Sequence, residues 1–226
     1  ELAGVTHTYR SQGEETFTLG PLDLALVPGE LVFVVGGNGS GKTTLAKLLV
    51  GLYLPERGEI RVDGRPVTPA TMDSYRQLFS AVFADFYLFE KLLGSTGVEL
   101  DAAAQRQLER LRLEGRVGIR EGRFSTLELS QGQRKRVALL VALLEDAPIL
   151  VFDEWAADQE PEFRELFYRQ LLGELRARGK TAVVITHDDR YYQVADRIVK
   201  LDCGRVVVDQ RAAAWDPAAA AGLPSA

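Results

Sequence analysis

Gly36-Gly37-Asn38-Gly39-Ser40-Gly41-Lys42-Thr43 lies between a run of five apolar residues, Leu31 to Val35, and a helical segment, Lys42 to Val50, that Gly51 is placed to stop. The stretch satisfies G-x-x-x-x-G-K-[ST], and a preceding strand and following helix are the context in which that pattern binds phosphate. Glycines let the backbone curl so that successive N–H groups point at phosphate oxygens, and the helix N-terminus adds a partial positive charge. Lys42 is placed to reach the β and γ phosphates. The Thr43 hydroxyl is placed to take one position on Mg²⁺, a small hard cation that wants oxygen ligands. A flexible glycine turn before an ordinary helix is the plain alternative, and the strand–loop–helix placement argues against it.

A second run, Ile149-Leu150-Val151-Phe152, ends in two adjacent carboxylates, Asp153 and Glu154. In open α/β sheets ligands bind at the C-terminal ends of the strands. Adjacent side chains point opposite ways along a strand, so the two acids should have separate jobs. Asp153 suits a Mg²⁺ held through water, and Glu154 suits the base that positions or deprotonates the attacking water.

Around these segments the pattern alternates between strand and helix. Leu2 to Tyr9 and Phe17 to Leu26 read as a β-rich N-terminal layer, and Ile60 to Val62 leads into Asp63-Gly64, a hairpin signal. From about Met72 to Leu111 the pattern turns helical, with Asp101 as a candidate N-cap, which predicts an inserted helical subdomain. Helices are also expected from Ser130, from about Glu162 to Ala177, and after His187, with strands at 182–186, 198–201 and 206–208. The segment 212–226 is Ala-rich with two prolines and is expected to be a frayed tail or linker.

Of the 226 residues 46% are hydrophobic, enough for one large core, and the formal net charge of −5 offers no field to hold a nucleic acid backbone. No apolar run approaches the roughly 20 residues that cross a bilayer. The single cysteine, Cys203, cannot form an internal disulfide and fits a reducing compartment. The chain starts at Glu1 without Met or an apolar leader, as a piece cut from a longer polypeptide would.

Between the two catalytic-looking segments stands Leu129-Ser130-Gln131-Gly132-Gln133, followed by Arg134-Lys135-Arg136 and an apolar helix. Ser130 with Gln133 fits a capping box, which leaves N–H groups at a positive helix end free for an anion. The phrase resembles the LSGGQ signature of ABC ATPases, and the motif order matches that family too: phosphate loop, signature, acidic strand end, single His. The resemblance covers the chain from Val5 to about Asp209. It implies an α/β P-loop NTPase fold of the ABC-ATPase type, with an N-terminal antiparallel β-subdomain and a helical subdomain inserted at about 86–145. These form one ATP-binding domain over 1–211.

Carried over by position, Gly36, Gly37, Asn38, Gly39, Ser40, Gly41, Lys42, Thr43 and Thr44 match the ATP-binding loop, and Tyr9 matches the aromatic that stacks on adenine. Ser130, Gln131, Gly132 and Gln133 match the signature that touches the ATP of the opposite subunit. Glu154 and His187 match the catalytic base and the switch histidine, and Thr43 and Asp153 the Mg²⁺ site. The resemblance further implies Mg-ATP hydrolysis, a homodimer with ATP at its interface, and a transmembrane domain as partner, fused N-terminally. The location it implies is the cytoplasmic face of the inner membrane.

Two departures stand out. ABC cassettes carry a Gln where this chain has Ala84, in Phe83-Ala84-Asp85; either Asp85 substitutes toward the metal through a water or that contact is absent. After Glu154 the sequence Trp155-Ala156-Ala157-Asp158-Gln159-Glu160-Pro161 replaces the usual S-A-L-D-P ending. Aligning on Pro161 puts Glu160 at the acid that crosses the dimer interface, with Asp158 as its rival. These departures, with the phrases LSQGQRKR and FDEWAADQ, resemble the cyclic-peptide and siderophore export ABC transporters. The alternatives are a soluble ABC ATPase working on DNA or the ribosome, against which the charge argues, and a non-hydrolysing nucleotide switch, against which Glu154 argues.

Overall fold

The computed structural model describes residues 1–10, 16–92 and 98–216. In chain order the elements are β1 (Leu2–Arg10), β2 (Thr16–Leu24), β3 (Leu31–Val35), α1 (Lys42–Leu49), β4 (Arg57–Val62), β5 (Arg65–Pro66), α2 (Met72–Arg76) and β6 (Phe79–Val82). Then follow α3 (Val98–Arg110), the short hairpin β7 (Ile119–Arg120) and β8 (Arg123–Phe124), α4 (Gln131–Leu144) and β9 (Ile149–Asp153). A continuous rod runs from α5 (Pro161–Glu165) through a π-helical stretch (Leu166–Leu171) into α6 (Leu172–Ala177), and β10 (Thr181–Ile185), β11 (Arg197–Asp202) and β12 (Arg205–Arg211) complete the fold.

Six strands form the central sheet in the order β12-β11-β3-β10-β9-β6, and four form the N-terminal sheet in the order β2-β1-β4-β5. From β11 to β6 every pairing is parallel. That explains the uninterrupted apolar runs, since strands covered on both faces have no solvent side to make polar. Alternation then decides which core each residue joins. Leu31, Phe33 and Val35 pack with α4 and the Pro161–Ala177 rod, while Val32 and Val34 pack with α1 and the N-terminal sheet. The Asp63-Gly64 hairpin has both residues at left-handed φ, 49° and 74°, as a two-residue turn of this twist requires.

The helical pattern over 72–111 does not hold as one unit. α2 stops at Arg76, and Phe79–Val82 enter the central sheet beside β9, because their alternating burial suits a sheet edge as well as a helix face. Asp101 is no N-cap: it lies inside α3, and its carboxylate accepts from the backbone N–H groups of Glu121 and Gly122, tying α3 to the β7–β8 hairpin. The first residues of the expected tail are tied to the fold. Ala212–Ala214 form a 3-10 turn whose first N–H donates to the Asp196 carbonyl, and Trp215 packs edge-on against Tyr192. Of the expected tail, 217–226 lie outside the described residues, as do 93–97 of the expected helical subdomain. Among the described residues no helix is long and apolar enough to cross a membrane.

Candidate active site

Parallel pairing brings the candidate residues to one sheet edge. Ile185 stands opposite Asp153 on one side and Val34 on the other, and Val82 stands opposite Phe152. The segments leaving β3, β10, β9 and β6 therefore emerge together, carrying the glycine loop, His187, Glu154 and Asp85.

Two of the loop's glycines, Gly36 and Gly41, are required by space as well as by φ. At Gly36 (φ 147°) a Cβ would lie 2.2 Å from the Leu201 carbonyl oxygen, and at Gly41 (φ 102°) it would lie 2.8 Å from a Leu19 methyl carbon. Gly41 is the N-cap of α1 and supplies no side-chain cap, so the first-turn N–H groups are left for an anion. Asn38 and Gly39 are exposed at the loop tip, Ser40 and Thr44 are buried beneath it, and Thr43 faces out. Lys42 is buried, and its Nζ donates to the carbonyls of Gly36 at 3.1 Å and Gly37 at 2.8 Å. Burial pushes the Lys42 ammonium pKa down, against the opposing pull of the Glu154 and Asp153 charges.

Asp153 is 1% exposed; its Oδ2 accepts from the Thr43 hydroxyl at 2.8 Å, and its Oδ1 is buried without a hydrogen-bond partner among the described residues. Desolvation pushes its carboxyl above the ordinary carboxylate range, the Thr43 hydroxyl draws it back, and Glu154 and Asp85 push it up again. Asp85 itself is exposed at the end of β6, next to the exposed Ala84.

A carboxylate whose folded pKa is raised destabilises the fold once the unfolded chain ionises, and the penalty is complete above the folded pKa. Below the ordinary carboxylate value both states hold the proton and the penalty is gone. Asp153→Asn is therefore expected to raise the urea midpoint of the nucleotide-free chain at pH 7. The gain over wild type should shrink as pH falls through the raised pKa toward that ordinary value. A lower midpoint at pH 7 would contradict this reading.

Glu154 leaves the strand in a left-handed conformation, φ 51°. Its N–H donates to the Ile185 carbonyl at 3.1 Å, and its Oε1 lies 3.0 Å from Nε2 of His187. An ionised carboxylate can only accept, so the imidazole carries its proton on Nε2 in this contact. Two groups missed in the sequence hold the histidine turn. The Tyr168 hydroxyl lies 2.7 Å from Oγ1 of Thr186, which also accepts from the Asp188 N–H at 3.0 Å. Tyr168 belongs to the π-helical stretch, which the helical periodicity of the sequence does not mark.

The capping box at Ser130 forms as expected: its hydroxyl accepts from the Gln133 N–H at 3.3 Å, and its own N–H donates to the Gln133 side-chain oxygen at 3.0 Å. The Gly132 carbonyl accepts from the Gln159 amide at 3.2 Å, and the Gln131 amide lies 3.5 Å from Oδ2 of Asp158. Of the two rival acids, Asp158 pairs with the buried Lys135 at 2.7 Å, whereas Glu160 is the N-cap of α5 and stands 3.7 Å from Arg136. Tyr9 is exposed on β1 with its ring 5.6 Å from that of Phe17, and Phe17 is the ring that packs beside Gly41. The Tyr9–Phe17 pair thus flanks the glycine loop.

Residues 19–157 match the family model described as ABC transporter. The chain belongs to the ABC transporter family. This cassette is 50% identical over 217 residues to the ATP-binding protein SyrD of Pseudomonas syringae pv. syringae, covering 94% of the chain and 38% of that protein. It is 39% identical to an ATP-dependent lipid A-core flippase of Alkalilimnicola ehrlichii, covering 88% of the chain and 36% of that protein. The chain thus spans little more than a third of the curated relatives it matches. Among solved structures it superimposes on the cassette MJ0796, a dimer in a post-hydrolysis state bound to ADP and phosphate, with TM-score 0.79 and 29% identity over 93% of the chain and 97% of that one. A bacterial Atm1-family ABC exporter with ATP bound gives TM-score 0.75 at 26% identity, covering 94% of the chain and 38% of that one. The cassette binds and hydrolyses ATP.

Proposed function

We propose that two copies of this cassette close head to tail around two ATP molecules and thereby drive export of a cyclic peptide or siderophore precursor across a bacterial inner membrane. The observation that carries the hydrolytic part is the convergence of Lys42, Thr43, Asp153, Glu154 and His187 at one sheet edge. The export part is supported by the names of the relatives, a lipid A-core flippase and macrolide export proteins among them. The cargo part is supported by the phrases LSQGQRKR and FDEWAADQ.

The residues fit both groups that the reaction needs. Gly36 and Gly41 leave no room for a Cβ against Leu201 and Leu19, which fixes the bare loop backbone, and Asp153 Oδ1 is a buried carboxylate oxygen without a partner among the described residues, beside the Thr43 hydroxyl. Thr43 and Asp153 would hold Mg²⁺, which when bound neutralises charge on the β and γ phosphates. Lys42 exchanges its two carbonyl partners for phosphate oxygens. Glu154 takes the proton of the attacking water, and His187 keeps that carboxylate oriented by donating to it. Ser130 to Gln133 present a helix N-terminus to the γ-phosphate of the partner's ATP, which is why ATP strengthens association only in the closed state. Asp158 or Glu160 lines the same interface, Asp85 assists the metal side, and Tyr9 stacks on adenine.

The motor works at the cytoplasmic face, coupled to a transmembrane domain fused N-terminally. Reconstituting that whole polypeptide in lipid vesicles tests the cargo. ATPase stimulation and ATP-dependent uptake are expected with cyclic peptides or siderophore precursors; response to macrolides or lipid A alone would replace the cargo class while leaving the motor intact.

A further inference from the structure

Lys135 stands near the start of α4, between Arg134 and Arg136, yet is buried to 3% exposure, and neither ATP binding nor the capping box uses it. Its Nζ donates to the backbone carbonyl of Glu154 at 3.3 Å and to Oδ2 of Asp158 at 2.7 Å. Its own carbonyl accepts from Nε1 of Trp155 at 2.7 Å, and the Trp155 indole is buried against Phe167. A single residue of the signature helix thus grips the catalytic strand end at three points, the carbonyl of Glu154, the side chain of Trp155 and the carboxylate of Asp158, the last two within the chain's departure from the usual pattern.

What this grip does follows from the backbone of Glu154. A non-glycine residue at φ 51° is held there only when its surroundings over-determine it. Three contacts fix its peptide groups: its N–H on Ile185, and its carbonyl accepting from the Ala157 N–H at 3.2 Å and from Lys135. The first two are local features of strand and turn. The third alone comes from the helix whose N-terminus forms the signature. The geometry points to Lys135 as a positioning residue for the reaction, aiming the Glu154 carboxylate from the signature helix so that the helix serving one nucleotide also sets the base acting on the other. This rests on Glu154 acting as the base.

Burying an ammonium needs a reason, because an apolar side chain of similar volume in place of a buried ion pair is often neutral or stabilising. Asp158, the other member, has a half-exposed side chain and stays solvated if Lys135 is removed. Lys135→Met therefore separates a positioning role from a structural one. In the 226-residue chain it is expected to leave the melting midpoint unchanged or higher and the equilibrium affinity for ATP within about twofold. It should lower kcat about tenfold, as loss of a charged hydrogen bond felt only in the transition state would. A wild-type kcat, or a fall in kcat that only follows the fraction folded, would overturn the assignment. If Lys135→Met does not fold, Trp155→Phe decides: it keeps the ring against Phe167 but removes the indole donor. A lower kcat at unchanged ATP affinity supports the grip, and an unchanged kcat overturns it. Glu154→Gln is assayed alongside. Should it keep wild-type turnover, the base assignment falls and this inference with it; should it be inactive while Lys135→Met is fully active, the role of Lys135 alone is refuted.

Discussion

Glu154→Gln is expected to lower ATP turnover by about 10²- to 10⁴-fold, the range that loss of a general base produces. ATP affinity should survive, because the groups proposed to surround the phosphates, the backbone of Gly36 to Gly41 and the Lys42 ammonium, are all kept, and Lys42 loses only the longer-range pull of the Glu154 charge. Glutamine keeps the length of the side chain and an oxygen that can still accept from His187, so the left-handed turn at 154 is undisturbed. A closed dimer that cannot hydrolyse its ATP has no route back to the open state. The variant should therefore run as a monomer without nucleotide and as a dimer with Mg-ATP in size-exclusion chromatography with light scattering. A monomer with normal turnover would refute both the base and the sandwich. A monomer that binds ATP but does not turn over would keep the base and assign closure to the membrane domain.

The parts of this site that sequence made legible are those where one residue type is forced by backbone or charge. Glycine at 36 and 41 is forced by space, Asp153 by its place at a buried strand's end, and Ser130 with Gln133 by the reciprocal bonds of a capping box. The fold was legible for the same reason, since five-residue apolar runs bounded by turns mark strands covered on both faces. What escaped were long-range partnerships. Tyr168 meets Thr186 only because the rod carries a π-helical stretch, and Phe79–Val82 joined the sheet because β9 was there to pair with, against a helical local pattern. Asp101 looked like a cap because caps and side-chain clamps on distant backbone use the same carboxylate chemistry. Trp155 was visible as a departure from a pattern and Lys135 only as part of the phrase LSQGQRKR, but their mutual contact is set by how α4 meets the end of β9.

Lys42→Ala is expected to weaken ATP binding by at least about 10²-fold, since a charge-assisted contact to phosphate in a partly desolvated site is among the stronger single interactions. Without nucleotide, Lys42 is held by the loop itself. Both of its hydrogen bonds go to loop carbonyls, and burial disfavours its charge, so the ammonium sits in a place that costs stability until an anion arrives. A lysine whose folded pKa is depressed destabilises the fold wherever it is charged in the unfolded chain, that is, below its ordinary value of 10.5. Lys42→Met, which keeps the apolar stem, should leave the nucleotide-free chain as stable as wild type at pH 7 or more so, while losing affinity as Lys42→Ala does. Equilibrium titration with a fluorescent ATP analogue and a urea melt without nucleotide measure the two effects separately. Unchanged affinity would remove Lys42 from the phosphate site. A large loss of stability would mean that its two carbonyl contacts hold the loop together, and that the loop is built for itself before it is built for ATP.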